Sequence, residues 1–262
     1  MNKNKIACFV SVSILFLASC SSNNKEFEKQ KGISLEQTTE NENINDLENN
    51  QQFNDLKTRP GKVLLTGHNN HRLISIFKVN YSKRTKKTFT GSNGYHSSYS
   101  YDDYGNSRYR SYMPGLSVTY GYNMLNISHY NLDSNKRNTL FKKPVLINNL
   151  YYPTLSKDSI NNAPVLRNYY LASVYNEDTN NDSLINHKDL RRFFMFNLDG
   201  TDRSQLIPNN YGVLSSQYDA PNDYMIIKAK IDQNNNGKMD EEEAIHIFWI
   251  DLNDPRPGVR MY

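Results

Sequence analysis

Residues 168–198 read NYYLASVYNEDTNNDSLINHKDLRRFFMFNL, and residues 222–252 read NDYMIIKAKIDQNNNGKMDEEEAIHIFWIDL. The two stretches align without a gap at an offset of 54: Tyr170 meets Tyr224, Asp178 meets Asp232, Phe194 meets Phe248 and Leu198 meets Leu252. Each opens on a run rich in β-branched and aromatic residues, crosses an acidic loop, and returns in a second such run. No run keeps the 3.6-residue period of an amphipathic helix, so they read as strands.

The same texture extends outward. Runs at 63–65, 73–79, 116–130, 169–175, 193–198, 224–231 and 244–252 are separated by Asn, Asp, Gly, Ser and Pro. An all-β class is expected. The hairpin end Phe196-Asn197-Leu198-Asp199-Gly200-Thr201-Asp202-Arg203 has a counterpart in residues 130–137 and a fainter one in residues 77–84. The markers Val79, Leu132, Leu198 and Leu252 lie 53, 66 and 54 residues apart. That spacing predicts about four short antiparallel units over residues 61–262, arranged like propeller blades, with a twisted β-sandwich as the alternative. The hairpin followed by Gln205-Leu206-Ile207-Pro208 resembles the blade motif of periplasmic TolB-type propellers. The resemblance implies a subunit of an envelope complex.

Composition narrows the class. The 262 residues are 37 % hydrophobic and 12 % aromatic, with mean hydropathy −0.77. No stretch supplies the roughly 20 apolar residues of a spanning helix, which excludes a multi-span membrane protein. The aromatic content is enough to build a core, which excludes a wholly disordered chain. A net charge of +4 does not call for a nucleic-acid partner. Two Cys exclude a disulfide scaffold.

The first twenty residues read MNKNKIACFVSVSILFLASC. Lys3 and Lys5 precede an apolar run at 6–17, then small residues and Cys20, which are the proportions of a secretory signal. Leu17-Ala18-Ser19-Cys20 resembles the bacterial lipobox; an ordinary secretory signal ending in Cys is the alternative. The resemblance implies removal of residues 1–19, a diacylglyceryl group on the Cys20 sulfur, a further acyl chain such as palmitate on its amine, and a stable anchor in the membrane. Ser21 rather than Asp follows Cys20, and the resemblance to sorted bacterial lipoproteins then implies the outer membrane of the envelope. Residues 20–60 are rich in Asn, Gln, Glu, Lys and Ser. Such a segment cannot bury enough surface to offset its ordering entropy, and it reads as a disordered tether. Arg59-Pro60-Gly61 marks its end.

The acidic loops carry the sharpest chemistry. Residues 232–243 place Asp232, Asn234 and Asn236 at positions 1, 3 and 5, Gly237 at 6 and Glu243 at 12. Alternate side chains then face one centre, Gly permits the sharp turn, the carbonyl of position 7 adds an oxygen, and Glu at 12 closes the cage. The ligand set would be Asp232, Asn234, Asn236, the Lys238 carbonyl, Asp240 and Glu243, with Met239 pinning the loop to the core. Residues 178–189 repeat the spacing with Asp178, Asn180, Asp182, the Leu184 carbonyl, Asn186 and Asp189, with Ile185 as the apolar pin. Two departures predict a weaker site: Ser183 replaces Gly, and Asp189 replaces Glu. Both resemble EF-hand calcium loops, but strands rather than helices flank them. Two calcium ions in a structural role are expected.

The remaining features carry less. His68 and His71 are three apart and read as a turn rather than a metal pair; His96, His129, His187 and His246 read as isolated. Residues 91–122 contain eight Tyr and read as an insertion or a recognition loop. Lys83, Arg84, Lys86 and Lys87 fall at a hairpin equivalent to the one with Lys136, Arg137, Lys142 and Lys143, a stripe suited to anionic glycan or lipid headgroups. No nucleophile elbow, P-loop, zinc-protease or dinucleotide fingerprint is present. The expected function is a membrane-anchored calcium-binding lipoprotein, a non-enzymatic binding or scaffold module with an envelope protein or glycan as partner. The alternative is an envelope or extracellular hydrolase with its site in a propeller's central pocket.

Overall fold

In the computed structural model, which describes residues 32–35, 56–82, 84–91, 93–96 and 113–262, the run Tyr169–Tyr175 is buried along its whole length. The fold is built around it. The N-terminal strands are β1 (Ile33–Ser34), β2 (Thr58–Leu65), β3 (His71–Ser82), β4 (Lys87–Thr90), β5 (Asn93–His96) and β6 (Leu116–Gly121). Next come β7 (Met124–Asn131), β8 (Lys136–Thr139), β9 (Leu146–Pro153), β10 (Asp158–Ile160), β11 (Ala163–Val165) and β12 (Tyr169–Tyr175). The C-terminal strands are β13 (Leu184–Ile185), β14 (Arg192–Asn197), β15 (Arg203–Gln205), β16 (Tyr211–Asp219), β17 (Tyr224–Ile231), β18 (Ile245–Asp251) and β19 (Val259–Arg260).

The protein is all-β, as its runs of β-formers predict. A six-stranded sheet runs β15-β14-β12-β9-β6-β5, a four-stranded sheet β16-β17-β18-β19, and a five-stranded sheet β2-β3-β7-β8 with β4 beside β3. β10-β11 and β1-β13 are two-stranded additions. The six-stranded sheet is the middle layer. Tyr170, Ala172 and Val174 of β12 pack with Leu73, Phe77 and Ile127 of the five-stranded sheet. The alternate residues Tyr169 and Leu171 pack with Met225, Ile227 and Phe248 of the four-stranded sheet. The period-2 alternation thus feeds two cores from one strand.

The four expected units do not stand as four blades. The run 116–130 is broken at Tyr122-Asn123, where Asn123 takes φ 53°, and its halves join different sheets. The units at 77–84 and 130–137 merge, because β3 pairs directly with β7. The result is three sheets stacked face to face, and they do not close into a ring. The folded body also begins a little earlier than residue 61: Leu56 is buried and β2 starts at Thr58. Pro60 and Gly61 fit there because β2 is an edge strand whose register shifts between Pro60 and Val63. Inside the stretch read as tether, residues 32–35 are packed: Ile33 is fully buried and β1 pairs with β13. Cys20 and the expected signal sequence, the rest of the stretch read as tether up to residue 55, Lys83 and most of the Tyr-rich segment lie outside the described residues.

A buried ion pair ties the two repeats together. The Arg167 guanidinium donates to both carboxylate oxygens of Asp223 at 2.8 Å and to Leu252 O at 2.8 Å. The Tyr169 hydroxyl donates to the same carbonyl at 2.6 Å. The start of the first repeat is thereby fixed to the end of the second, which brings the two acidic loops to the same end of the body.

Candidate metal centre

Loop 1 (178–189) joins β12 to β14, and loop 2 (232–243) joins β17 to β18; both strand pairs are antiparallel neighbours. The pairs differ by one residue in register. Tyr170 lies opposite Phe196, whereas its equivalent Tyr224 lies opposite Asp251.

The two loops share one hydrogen-bond plan. At position 1, Asp178 accepts from the amides of Asp182 (3.1 Å) and Ser183 (2.7 Å), and Asp232 from those of Asn236 (3.0 Å) and Gly237 (2.9 Å). At position 3, Asn180 Oδ1 accepts from Asp182 N–H and Asn234 Oδ1 from Asn236 N–H, each at 3.0 Å. At position 5, Asp182 Oδ1 accepts from Leu184 N–H (3.1 Å) and Asn236 Oδ1 from Lys238 N–H (2.9 Å). At position 12, Asp189 accepts from the amides of Thr179 (2.9 Å) and Asn186 (2.7 Å), and Glu243 from those of Gln233 (2.9 Å) and Asp240 (3.0 Å). The backbone follows suit. Positions 4 and 6 take positive φ in both loops, at Asn181 (56°) and Ser183 (66°), and at Asn235 (56°) and Gly237 (72°).

The loops touch. The Thr179 hydroxyl donates to Gly237 O at 2.6 Å and accepts from Leu190 N–H at 2.8 Å. A Cβ added to Gly237 would stand 1.7 Å from Thr179 O. Met239 lies against Gly212, as the apolar pin expected of position 8, and Ile185 is buried in the equivalent place.

Electrostatics set the loops apart. Asp189 is fully buried, and that burial raises its pKa from 3.8, against the lowering effect of the amides of Asn186, Thr179 and Asn180. Asp240 is instead held below 3.8 by the side-chain amides of Asn234 and Asn236, at 3.0 and 2.6 Å. Each loop carries three carboxylates at its expected ligand positions, Asp178, Asp182 and Asp189 or Asp232, Asp240 and Glu243. Among the described residues no Lys or Arg forms an ion pair with any of the six.

The donor set is all oxygen and carries net negative charge, which suits a hard divalent cation. Among the described residues no three His, Cys, Asp or Glu gather closely enough to hold an ion by themselves. A cage here needs the Asn side chains and the carbonyls of Leu184 and Lys238 as well. Asn180 Nδ2 is buried in loop 1 without a partner among the described residues, a donor that the hydration water of an ion would satisfy.

Other features behave differently from their reading in sequence. His129 is not isolated: its Nε2 lies 2.8 Å from Nδ1 of His71, a contact made by the β3–β7 pairing. His68 turns to Arg167 O at 2.9 Å, so the histidines at 68 and 71 do not converge on one point. His187 packs edge-on to Tyr175, and His246 meets the Tyr211 hydroxyl and Arg260. The two basic hairpin tips do belong to one sheet, with Arg84, Lys86, Lys87, Lys136, Arg137 and Lys142 exposed. The positive φ at Asn181 and Asn235 was readable, since Asn tolerates the left-handed region better than other side chains; the role of Thr179 was not. No protein-family model matches the chain, and no curated protein sequence matches it.

Proposed function

We propose that the chain is a calcium-binding lipoprotein of the bacterial envelope, anchored through Cys20 to a membrane, most simply the outer one, and acting as a non-enzymatic binding or scaffold module for an envelope protein or glycan. The observation that carries the calcium reading is the position-by-position identity of the two hydrogen-bond plans. Two stretches of different sequence bond equivalent backbone amides through side-chain oxygens at the same loop positions. Asp178, Asn180, Asp182, Leu184 O, Asn186 and Asp189 would hold one ion; Asp232, Asn234, Asn236, Lys238 O, Asp240 and Glu243 would hold the other. The ion supplies positive charge to three carboxylates that have no Lys or Arg ion-pair partner among the described residues. It thereby ties β12 to β14 and β17 to β18. At free calcium tenfold above the dissociation constant, linkage adds about 1.4 kcal/mol per site. The anchor reading rests on Leu17-Ala18-Ser19-Cys20.

The test uses the full chain, stripped with a chelator and titrated with calcium by calorimetry and thermal melting. Two binding events and a higher melting temperature are expected, with one event lost in Asp232→Ala or Glu243→Ala. Failure to take up the ion overturns the calcium reading. The anchor is tested separately, by the mass of the membrane-bound form and its loss in Cys20→Ala.

A further inference from the structure

Residues 32–35 are remote from the body in sequence yet are built onto loop 1. β1 pairs antiparallel with β13, Ile33 opposite Ile185 and Ser34 opposite Leu184. The Leu35 N–H donates to Ser183 O at 3.2 Å. Ile33 is fully buried with Leu56, Leu125, Leu146, Tyr175 and Ile185. Gly32 takes φ 82°, and a Cβ there would stand 1.8 Å from Ile185 O, so only glycine lets the chain lie this close.

The edge that receives β1 is loop 1 itself. Ser183, Leu184 and Ile185 are its positions 6, 7 and 8, and they include the carbonyl that would face an ion. That edge has its shape because Asp178 and Asp182 hold the amides of Ser183 and Leu184. Whatever orders these carboxylates orders the docking edge, and the effect is reciprocal by linkage. In loop 2 the equivalent Met239 lies against Gly212, and among the described residues no strand adds there.

We infer that β1 is a calcium-gated strap: an ion in loop 1 fixes the edge that holds residues 32–35, and loss of the ion releases them. The inference rests on the calcium reading of loop 1. Its consequence is positional. Cys20 precedes Ile33 by 13 residues and Leu56 by 36. At no more than about 3.5 Å per residue, the docked strap holds an anchored Cys20 within roughly 45 Å of loop 1. A released strap lets the body stand off by up to roughly 125 Å. Calcium would then set the reach of the body from the membrane and turn its loop end toward the bilayer.

Hydrogen exchange on the full chain in lipid nanodiscs tests this, with calorimetry in parallel. Calcium is expected to slow exchange at 33–35 and 183–185 together, by tenfold or more. Gly32→Ala and Ile33→Asp are expected to abolish protection at 33–35 and to raise several-fold the calcium needed to protect 183–185. Their melting in chelator confirms that the body still folds. Leu35→Lys, which keeps the backbone bond, leaves both readouts unchanged. Calcium uptake by both loops with unchanged exchange at 33–35 overturns the strap and leaves the calcium reading standing. No uptake overturns both. Protection at 33–35 that rises with protein concentration assigns β1 to a second copy and overturns the intramolecular strap.

Discussion

At position 6, loop 232–243 has Gly237 at φ 72°, and loop 178–189 has Ser183 at φ 66°. At position 12 the former has Glu243, half-buried, and the latter Asp189, fully buried. Both loops nevertheless hold equivalent amides with carboxylates at positions 1 and 12. A serine in the left-handed region costs about 1–2 kcal/mol that a glycine does not, and a carboxylate one methylene shorter must be brought closer. Loop 1 meets both demands with help from outside: β1 lies along its positions 7 and 8, and Thr179 ties it to loop 2. Loop 2 carries the demanding residues itself. The comparison teaches that a loop conformation can be specified by its own residues or by what packs on it, and that a spacing rule sees only the first kind.

The largest effect is expected from Gly237→Ala. The added Cβ meets the Thr179 carbonyl at 1.7 Å, and that atom is backbone of the other loop. Positive φ adds its own strain. A loss of about 2–4 kcal/mol in denaturant melts is expected, with the calcium response of both loops impaired. If loop 1 keeps its full response, the two loops are not one structural unit.

Thr179→Val should follow. It removes the bond to Gly237 O and the acceptor for Leu190 N–H. Leaving those two backbone groups without a partner costs about 1–2 kcal/mol. On the proposed calcium reading, calorimetry is expected to show coupled binding to the two loops in the parent chain and independent binding in this variant. Unchanged coupling would place the connection elsewhere.

Ser183→Gly acts in the opposite direction and less strongly. It relieves the left-handed serine and should add about 1 kcal/mol of stability in chelator, with tighter calcium binding at loop 1. A destabilised variant would show that the serine side chain contributes more than its backbone strain removes.

The asymmetry explains what was legible in the sequence. β12 and β17 were found to the residue, because each run of β-formers is bounded by polar loop residues. The turn of loop 2 was legible, because Gly237 supplies the positive φ and Glu243 holds the amides of Gln233 and Asp240 within the loop. The sheet that each strand joins was not legible. The turn at Tyr122-Asn123 interrupts no hydrophobic pattern, and the alignment of 168–198 with 222–252 hides a one-residue difference in pairing. β1 was missed for a related reason. One isoleucine beside a glycine in a polar stretch has no period, and its partner Ile185 is 152 residues away. His71 and His129 were read apart because only cross-strand pairing joins them.

That histidine pair yields the smallest effect, and it separates the loops from the rest of the body by sign. His129 Nδ1 faces Asn138 Oδ1 at 2.9 Å, and the Asn138 amide is oriented by donation to Asp199 O at 3.0 Å. The proton therefore sits on His129 Nδ1, its Nε2 accepts, and His71 Nδ1 donates. The bond between the two rings is made while both are neutral. His68 and Tyr170 stand beside them, and Asp199 and Asp133 act at longer range. Burial lowers both pKa values below 6.5, despite the opposing pull of Asp199. The folded state then binds fewer protons than the unfolded one. The contribution is complete above about 6.5 and is lost as pH falls through the folded values. A melting temperature lower by a few degrees at pH 5 than at pH 7 is expected, and the slope should flatten in His129→Gln. Asp189 works in reverse. Its raised pKa makes the calcium-free loop 1 most stable below the ordinary carboxylate range and less stable as pH rises through the folded value. Melting curves in calcium and in chelator should therefore share the histidine slope. The calcium curve should lie above the chelator curve at neutral pH, and the two should converge only on the acid side, where protons compete with the ion for the loop carboxylates. A gap that changes near pH 6.5 instead would tie the histidines of the five-stranded sheet to the loops.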